Sequence, residues 1–391
     1  MPRFKNRLQN QFFAWRDRVV ANPKFQRWAA AFPFTRPIAA SQSRKLFDLC
    51  AGFVYSQVLA ACVELDMFSV LSKGPRSVSS LAVEFNLSVE ATERLLKAAT
   101  SLGLCAERNK GASTEPHYGL GMLGAALIGN PGVTNMVKHH KLLYRDLADP
   151  VDLLRSVKAD GQRKATALST FWPYATGETP AAVDAPIPSD NPTTAYSALM
   201  SASQSLIVGD IFEAYAFNKH TTMMDVGGGD GTFLLAVAKH APSLKLILFD
   251  LPQVATQSQS RFEGANLTSR TTVFGGDASV DVLPKGADLI TLIRILHDHD
   301  DDKAVAILRQ IRVALPVGGT LLIAEPMAGV LGAEPVGDAY FGFYLLAMGS
   351  GRARRPDEIQ HLLQKAGFND TKVLRTRRPL LTSALQAKVN S

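Results

Sequence analysis

The sequence predicts an α/β protein, with a helical, winged-helix-like N-terminal part followed by a parallel sheet covered by helices on both faces. Three observations carry this. From Thr221 onward, short apolar runs alternate with amphipathic runs of helix length, the pattern of strands joined by crossover helices. A glycine-rich turn, Asp225–Val226–Gly227–Gly228–Gly229–Asp230–Gly231, follows directly on the first apolar run. Before it, two short helix patterns joined at Asn86–Leu87–Ser88 precede two strand-like runs.

The 391 residues are enough for about two to three domains and a large buried core. With 46% apolar and 20% charged residues the chain is neither disordered nor fibrous. Its most apolar window, Ala51–Phe68, is interrupted by Ser56, Gln57, Glu64 and Asp66, which argues against a membrane span. Cys50, Cys62 and Cys105 are odd in number and form no CxxC pair, so neither a disulfide scaffold nor a cysteine-rich zinc site is expected, and a reducing compartment, the cytoplasm, fits.

The net charge of +7 is unevenly placed. Residues 1–45 hold ten Lys/Arg and one acid, Asp17, whereas the remaining 346 residues hold 32 basic and 34 acidic side chains. The basicity belongs to an N-terminal arm that also carries Phe12, Phe13, Trp15, Phe25 and Trp28. A nucleic-acid-binding body is disfavoured. The arm lacks the apolar core of a secretory signal; its arginine-rich, acid-poor composition has an organellar transit peptide as a minor alternative.

The elements follow in order. Residues 46–125 form the winged-helix-like unit: a helix over Ser77–Phe85, a second over Val89–Leu102 with Leu95, Leu96, Ala99 and Leu102 inward, and paired strands at Leu104–Arg108 and His117–Leu120. Glu90 and Glu93 near the start of the second helix would repel phosphates, so a protein interface is favoured over DNA binding. Residues 126–215 are a helical connector, with a proline-rich loop over Thr176–Pro192 and a helix over Ala195–Tyr215. Residues 216–391 contain the sheet: strands at Thr222–Val226, Leu244–Phe249, Thr272–Phe274, Asp288–Leu296 and Thr320–Ala324, with helices over Phe233–His240, Ala304–Leu315 and Asp357–Ala366. Two further strand-like runs, Lys372–Arg375 and Leu381–Val389, close the chain.

The chemistry collects at one edge. Glycines at 227, 229 and 231 let a ligand approach the backbone closely and aim N–H groups at it. Thr232 stands where a dinucleotide fingerprint needs glycine or alanine, so NAD or FAD fits poorly. Asp250 ends the next strand, where an acid can accept ribose hydroxyls; Asp277, His297 and Glu325 follow the third, fourth and fifth strands. Single residues of this kind are often caps or turn formers, but five in register at the carboxyl edge of a sheet mark a site.

Asp225–Gly231, Phe249–Asp250–Leu251–Pro252, Gly276–Asp277 and Leu296–His297–Asp298 resemble the S-adenosylmethionine-dependent O-methyltransferases of the acetylserotonin and plant caffeic-acid type. The likeness runs from about residue 48 to the C-terminus. It implies a Rossmann-like class I methyltransferase sheet, an N-terminal winged-helix-like dimerisation domain and a homodimer. Within that family the chain is most similar to the bacterial hydroxyneurosporene (demethylspheroidene) O-methyltransferases, on the strength of residues 31–37, Phe47–Gln57 and Met200–Gln204. The resemblance implies S-adenosylmethionine contacts by Asp225, Gly227 and Gly229, a ribose contact by Asp250, adenine contacts by Asp277 and Ala278, and a cofactor contact by Arg294. It also implies His297 as general base with Glu325 beside it, and a substrate pocket lined by Met200, Tyr344 and Met348. The substrate it implies is a hydrophobic small molecule, a hydroxylated acyclic carotenoid, with a polyketide, phenolic or tetrapyrrole as the alternative and a DNA-binding, ligand-sensing regulator as the reading of another class; no metal is implied.

The residues agree with that chemistry. Methyl transfer to an alcohol is an in-line displacement that needs positioning, a base for the alcohol proton, and a carboxylate to orient the base. The acids at 298 and 300–302 read as the first turn of a helix, favourable to its dipole, rather than as a metal site. Three positions depart from the family: His299 replaces a tryptophan, Ala353 replaces a second acid, and Tyr340–Met348 is more apolar than a small phenol needs. The arm has two readings, a peripheral membrane contact or packing against the partner subunit.

Overall fold

The computed structural model describes residues 2–108, 115–157, 165–171, 201 and 203–390. The chain divides into two compact units, residues 1–125 and 126–391.

The first unit begins with helices Pro2–Val20 and Pro23–Ala31, the second opened by proline at its first position and by the Asn22 side chain accepting from the Lys24 N–H. A 29-residue helix, Arg36–Glu64, follows and runs through residues 45 and 46 without a break. By length and composition it is apolar enough to cross a bilayer, despite the polar interruptions in its sequence, and only 11% of its most apolar window is buried. The winged-helix outline follows: β1 (Arg76–Ser77), helices Val78–Phe85 and Val89–Ser101, β2 (Cys105–Arg108) and β3 (His117–Leu120), with β3 between the other two, all antiparallel. Ser77 and Ser88 cap the two helices by accepting from Ser80 and Ala91 N–H groups. The inward face of the second helix is Thr92, Leu96 and Ala99; Leu95 and Leu102 are half-buried. Glu90 and Glu93 pair with Arg94 and Lys97 one turn on.

In the second unit seven strands form one sheet: β4 (Thr222–Val226), β5 (Lys245–Asp250), β6 (Thr271–Gly275), β7 (Leu289–Ile293), β8 (Thr320–Glu325), β9 (Asp370–Leu374) and β10 (Ser383–Lys388). Their order is β6-β5-β4-β7-β8-β10-β9, with β4–β8 parallel and β10 antiparallel to both its neighbours. Successive residues serve opposite faces. Met224, Leu321 and Ile323 meet the helices Asp301–Ala314 and Pro356–Lys365, whereas Met223, Leu322 and Ala324 meet Thr232–His240 and Pro252–Gly264.

Two expectations are corrected. The fourth parallel strand ends at Ile293 rather than Leu296, because Arg294 takes a left-handed conformation (φ 61°) and turns the chain into a short 3₁₀ segment, Leu296–Asp298. Within the run expected as one helix to Tyr215, residues 205–207 form a turn and the helix resumes at Val208–Ala214. The proline-rich loop and residues 195–200 lie outside the described residues.

Candidate active site

The order of β5, β4, β7 and β8 brings the four strand ends that carry Asp250, the glycine turn, His297 and Glu325 side by side. Asp225, near the end of β4, is buried, and its Oδ1 accepts from Thr291 Oγ1 on β7 at 2.5 Å. Burial pushes this carboxyl up to about 7, against the opposing pull of the Thr291 hydroxyl. Asp225 thus ties two strands together beneath the glycine turn.

The turn itself has Gly227 at φ 72° and Gly229 at φ 59°, a region L side chains rarely occupy. A Cβ on Gly227 would run into Ile295 Cδ1, whereas the space beside Gly229 is open. Asp250 closes the cradle: Oδ2 accepts from Gly229 N–H and Oδ1 from Leu251 N–H, each at 2.7 Å. Burial pushes Asp250 up to about 6, and those two N–H groups favour its ionised form. Each oxygen keeps a second lone pair, so the carboxylate fits a pair of ribose hydroxyls. Asp230 is spent inside the loop, bonded to Thr232 and Arg261.

Asp277 stands beyond β6, beside Asp250, whose carbonyl accepts from Gly276 N–H at 2.9 Å. Its Oδ1 accepts from both the N–H and the hydroxyl of Ser279, at 2.8 and 2.7 Å. Although burial raises this carboxyl, the Ser279 bonds outweigh it and hold it below the usual range. Ala278 is half-buried against the sheet core. Arg294 donates to Ser203 Oγ at 2.6 Å, and its backbone N–H to the Ala324 carbonyl at 2.8 Å. The residues expected to hold the cofactor therefore share one edge, with Arg294 reaching across to Ser203.

His297 is buried, 3% exposed, on the 3₁₀ turn after β7. Glu325, fully buried at the end of β8, lies beside it: Oε2 is 3.6 Å from His297 Nδ1 and accepts from the His297 backbone N–H at 3.2 Å. The other ring nitrogen, Nε2, is 3.0 Å from Oδ1 of Asp298, which is buried as well. Burial alone would lower the imidazole, but Asp298 and Glu325 outweigh it and push it up to about 9. The histidine is held between two carboxylates, of which the sequence reading found one.

What fixes this turn comes from far along the chain. Arg354 has no exposed surface; its guanidinium donates to the Leu296 and His299 carbonyls at 2.6 and 2.7 Å and to Asp301 Oδ1 at 2.7 and 2.9 Å. Ser350 Oγ donates to the Asp298 carbonyl at 2.7 Å. Gly351, at φ 74°, packs so closely that any Cβ would overlap the His297 carbonyl. The acidic run is likewise occupied: Asp300 Oδ1 accepts from Gly351 N–H, and Asp301 pairs with Arg352 and Arg354. Arg354 escaped the sequence reading because an arginine in an Arg-rich stretch reads as surface; the small Gly349–Ser350–Gly351 run before it was the available signal.

The aromatic wall differs in detail from expectation. Among the described aromatic rings Phe341 packs against the base, its ring centroid 5.9 Å from that of His297. Tyr344 stacks on Tyr340 at 5.8 Å, and its hydroxyl meets His139 Nε2 at 3.0 Å; the Tyr340 hydroxyl meets His140 Nε2 at 2.7 Å. Burial pushes His139 down to about 4 and lowers His140, so both rings are neutral partners for the tyrosines. Met348 packs in the core with Leu143, Leu153 and Leu168. Met200 lies outside the described residues.

Known proteins share this architecture. Residues 144–369 match the family model of the O-methyltransferase domain, and residues 47–130 that of the O-methyltransferase dimerisation domain. The chain is 40% identical over 372 residues to demethylspheroidene O-methyltransferase of Cereibacter sphaeroides, covering 95% of this chain and 93% of that one. It is 37% identical to the enzyme of the same name from Rhodobacter capsulatus, covering 95% and 88%, and 30% identical to acetylserotonin O-methyltransferase of Mus musculus, covering 86% of each. The crystal structure of human N-acetylserotonin methyltransferase in complex with SAM superposes with a TM-score of 0.74 at 26% identity, over 90% of this chain and 98% of that one.

Proposed function

Since the chain belongs to the S-adenosylmethionine-dependent O-methyltransferases, we propose that it methylates the hydroxyl of an acyclic carotenoid, of the hydroxyneurosporene or demethylspheroidene type, to a methoxy carotenoid. The observation that carries the substrate class is the likeness to demethylspheroidene O-methyltransferases along 95% of the chain. We read the molecule as a homodimer joined through its dimerisation domain, acting in the cytoplasm and touching the membrane only at its surface, with no nucleic-acid partner.

When bound, S-adenosylmethionine supplies an electrophilic methyl group. Asp250 accepts the ribose hydroxyls and the glycine turn admits the ligand against the backbone. Asp277, Ala278 and Arg294 complete that side. His297 receives the alcohol proton at Nε2, the nitrogen facing Asp298 rather than the sealed Glu325, so the acceptor hydroxyl takes the place of Asp298 Oδ1. Glu325 holds the ring and stabilises the imidazolium that results. Phe341 and the ring faces of Tyr340 and Tyr344, whose hydroxyls are taken up by His140 and His139, offer apolar surface suited to a long polyene.

The test incubates the purified protein with methyl-labelled cofactor and a panel of hydroxycarotenoids and phenols. Label in a methoxy carotenoid is expected. Label in a phenol alone would overturn the substrate assignment and leave the family chemistry intact.

A further inference from the structure

The helices Pro2–Val20 and Pro23–Ala31 present an apolar face that no described residue of the unit covers. Leu8, Phe12 and Trp15 fall at i, i+4 and i+7, one line along the helix, and are 53%, 56% and 56% exposed. Phe12 and Trp15 touch, with ring centroids 6.0 Å apart. After Asn22, Trp28 stacks on Phe32 at 5.1 Å, and both are exposed. Phe25 and Ala29 instead turn inward, half-buried and buried. Around this aromatic surface stand Arg16, Arg18, Lys24 and Arg27, all exposed. The one acid, Asp17, is paired with Arg16 at 2.7 Å.

We propose that these two helices are a docking surface for an anionic lipid bilayer. Aromatic and leucine side chains along one line, with arginines and lysines beside them, are the chemistry of a helix lying at the headgroup boundary. A second copy of the chain fits less well. The dimerisation-domain match begins at residue 47, after both helices, and takes in the exposed Phe47, Leu49 and Phe53 instead. A two-fold contact through these helices would also bring Arg16, Arg18, Lys24 and Arg27 of one copy towards the same four of the other. Bilayer attachment would bring the enzyme to a lipid-resident acceptor, and so deepens the carotenoid reading.

The experiment sediments full-length protein with vesicles of phosphatidylcholine plus phosphatidylglycerol, and with phosphatidylcholine alone. Binding to the mixed vesicles is expected, with weak binding to the neutral ones and release in high salt. Arg16→Gln/Arg18→Gln should weaken partition roughly 30-fold, taking about fivefold for each charge lost. Phe12→Ser/Trp15→Ser should reduce it at least as much, while S-adenosylmethionine binding and the mass by light scattering stay unchanged. No sedimentation with anionic vesicles, or a fall in mass in either variant, would overturn the proposal, the latter giving the face to the second copy. The readout uses no carotenoid, so vesicle binding without carotenoid methylation would break only the substrate assignment.

Discussion

The glycine turn after β4 and the histidine turn after β7 are neighbours on one sheet edge, yet they are built in opposite ways. The glycine turn is local. Its shape follows from glycine φ values within five residues, and one carboxylate from the next strand closes it. The histidine turn is assembled from a distance: Glu325 arrives 28 residues later, and Ser350, Gly351 and Arg354 more than 50 residues later. A turn made of backbone tolerates its surroundings; one made of side-chain contacts depends on all of them. The difference also sets their charge. Burial raises Asp250 while backbone N–H groups pull the other way, towards its ionised form, whereas two buried carboxylates hold a proton on His297 against its burial.

The largest effect expected from breaking this contrast is on the base. His297→Gln should lower turnover by about two to four orders of magnitude, the range for a lost general base, while cofactor affinity by calorimetry barely changes. Near-normal turnover would mean that positioning alone drives the reaction. On the other side, Asp250→Ala removes two charge-assisted hydrogen bonds to ribose and should weaken cofactor binding about a hundredfold or more with the fold intact. Wild-type affinity in that variant would remove Asp250 from the cofactor site.

The pH dependence sharpens the comparison. With His297 pushed up to about 9 in the free enzyme, the neutral base is the minor form at pH 7, so kcat/KM for the acceptor should rise with pH and level off near 9. Asp298→Asn removes one of the two carboxylates and should move that midpoint down by roughly one to two units. A profile flat above pH 7 in the parent protein would contradict the two-carboxylate arrangement. The same shift has a stability consequence. A folded-state value above the ordinary 6.5 stabilises the fold fully below pH 6.5, and that contribution is lost as pH rises through about 9. Thermal melts should therefore fall across that window, and His297→Gln should flatten the decline.

The smallest effect concerns the frame. Arg354→Ala strands two buried carbonyls and should cost about 2–4 kcal/mol of stability by denaturant titration. Arg354→Lys keeps the charge but loses the fork, so it should cost less stability and still lower kcat more than it raises KM for cofactor. Equal losses in both would show that the clamp serves the whole edge rather than the histidine turn.

What is encoded within a few residues was legible in the chain. Alternating apolar runs fixed the β–α texture from β4 to β8, and the Gly227–Gly231 spacing marked the ligand turn, because strand pleat and glycine φ are local properties. The same holds for Ser77 and Ser88, which cap the winged-helix pair within three residues of themselves. The rest depends on contacts between distant segments. Asp298 stands next to His297 in the chain, but only the left-handed turn at Arg294 and the 3₁₀ segment after it aim its carboxylate at Nε2. Arg354 became a fully buried clamp because three carbonyl and carboxylate partners from one turn met it in space, and a charge is buried only where such partners converge. Met348 and Tyr344 sit one helical turn apart, so periodicity gave them one face, and both pack with Leu143, Leu153 and Leu168, partners that no local pattern names. Which residue faces the base, here Phe341, depends on a contact between segments more than forty residues apart, and no local pattern records that distance.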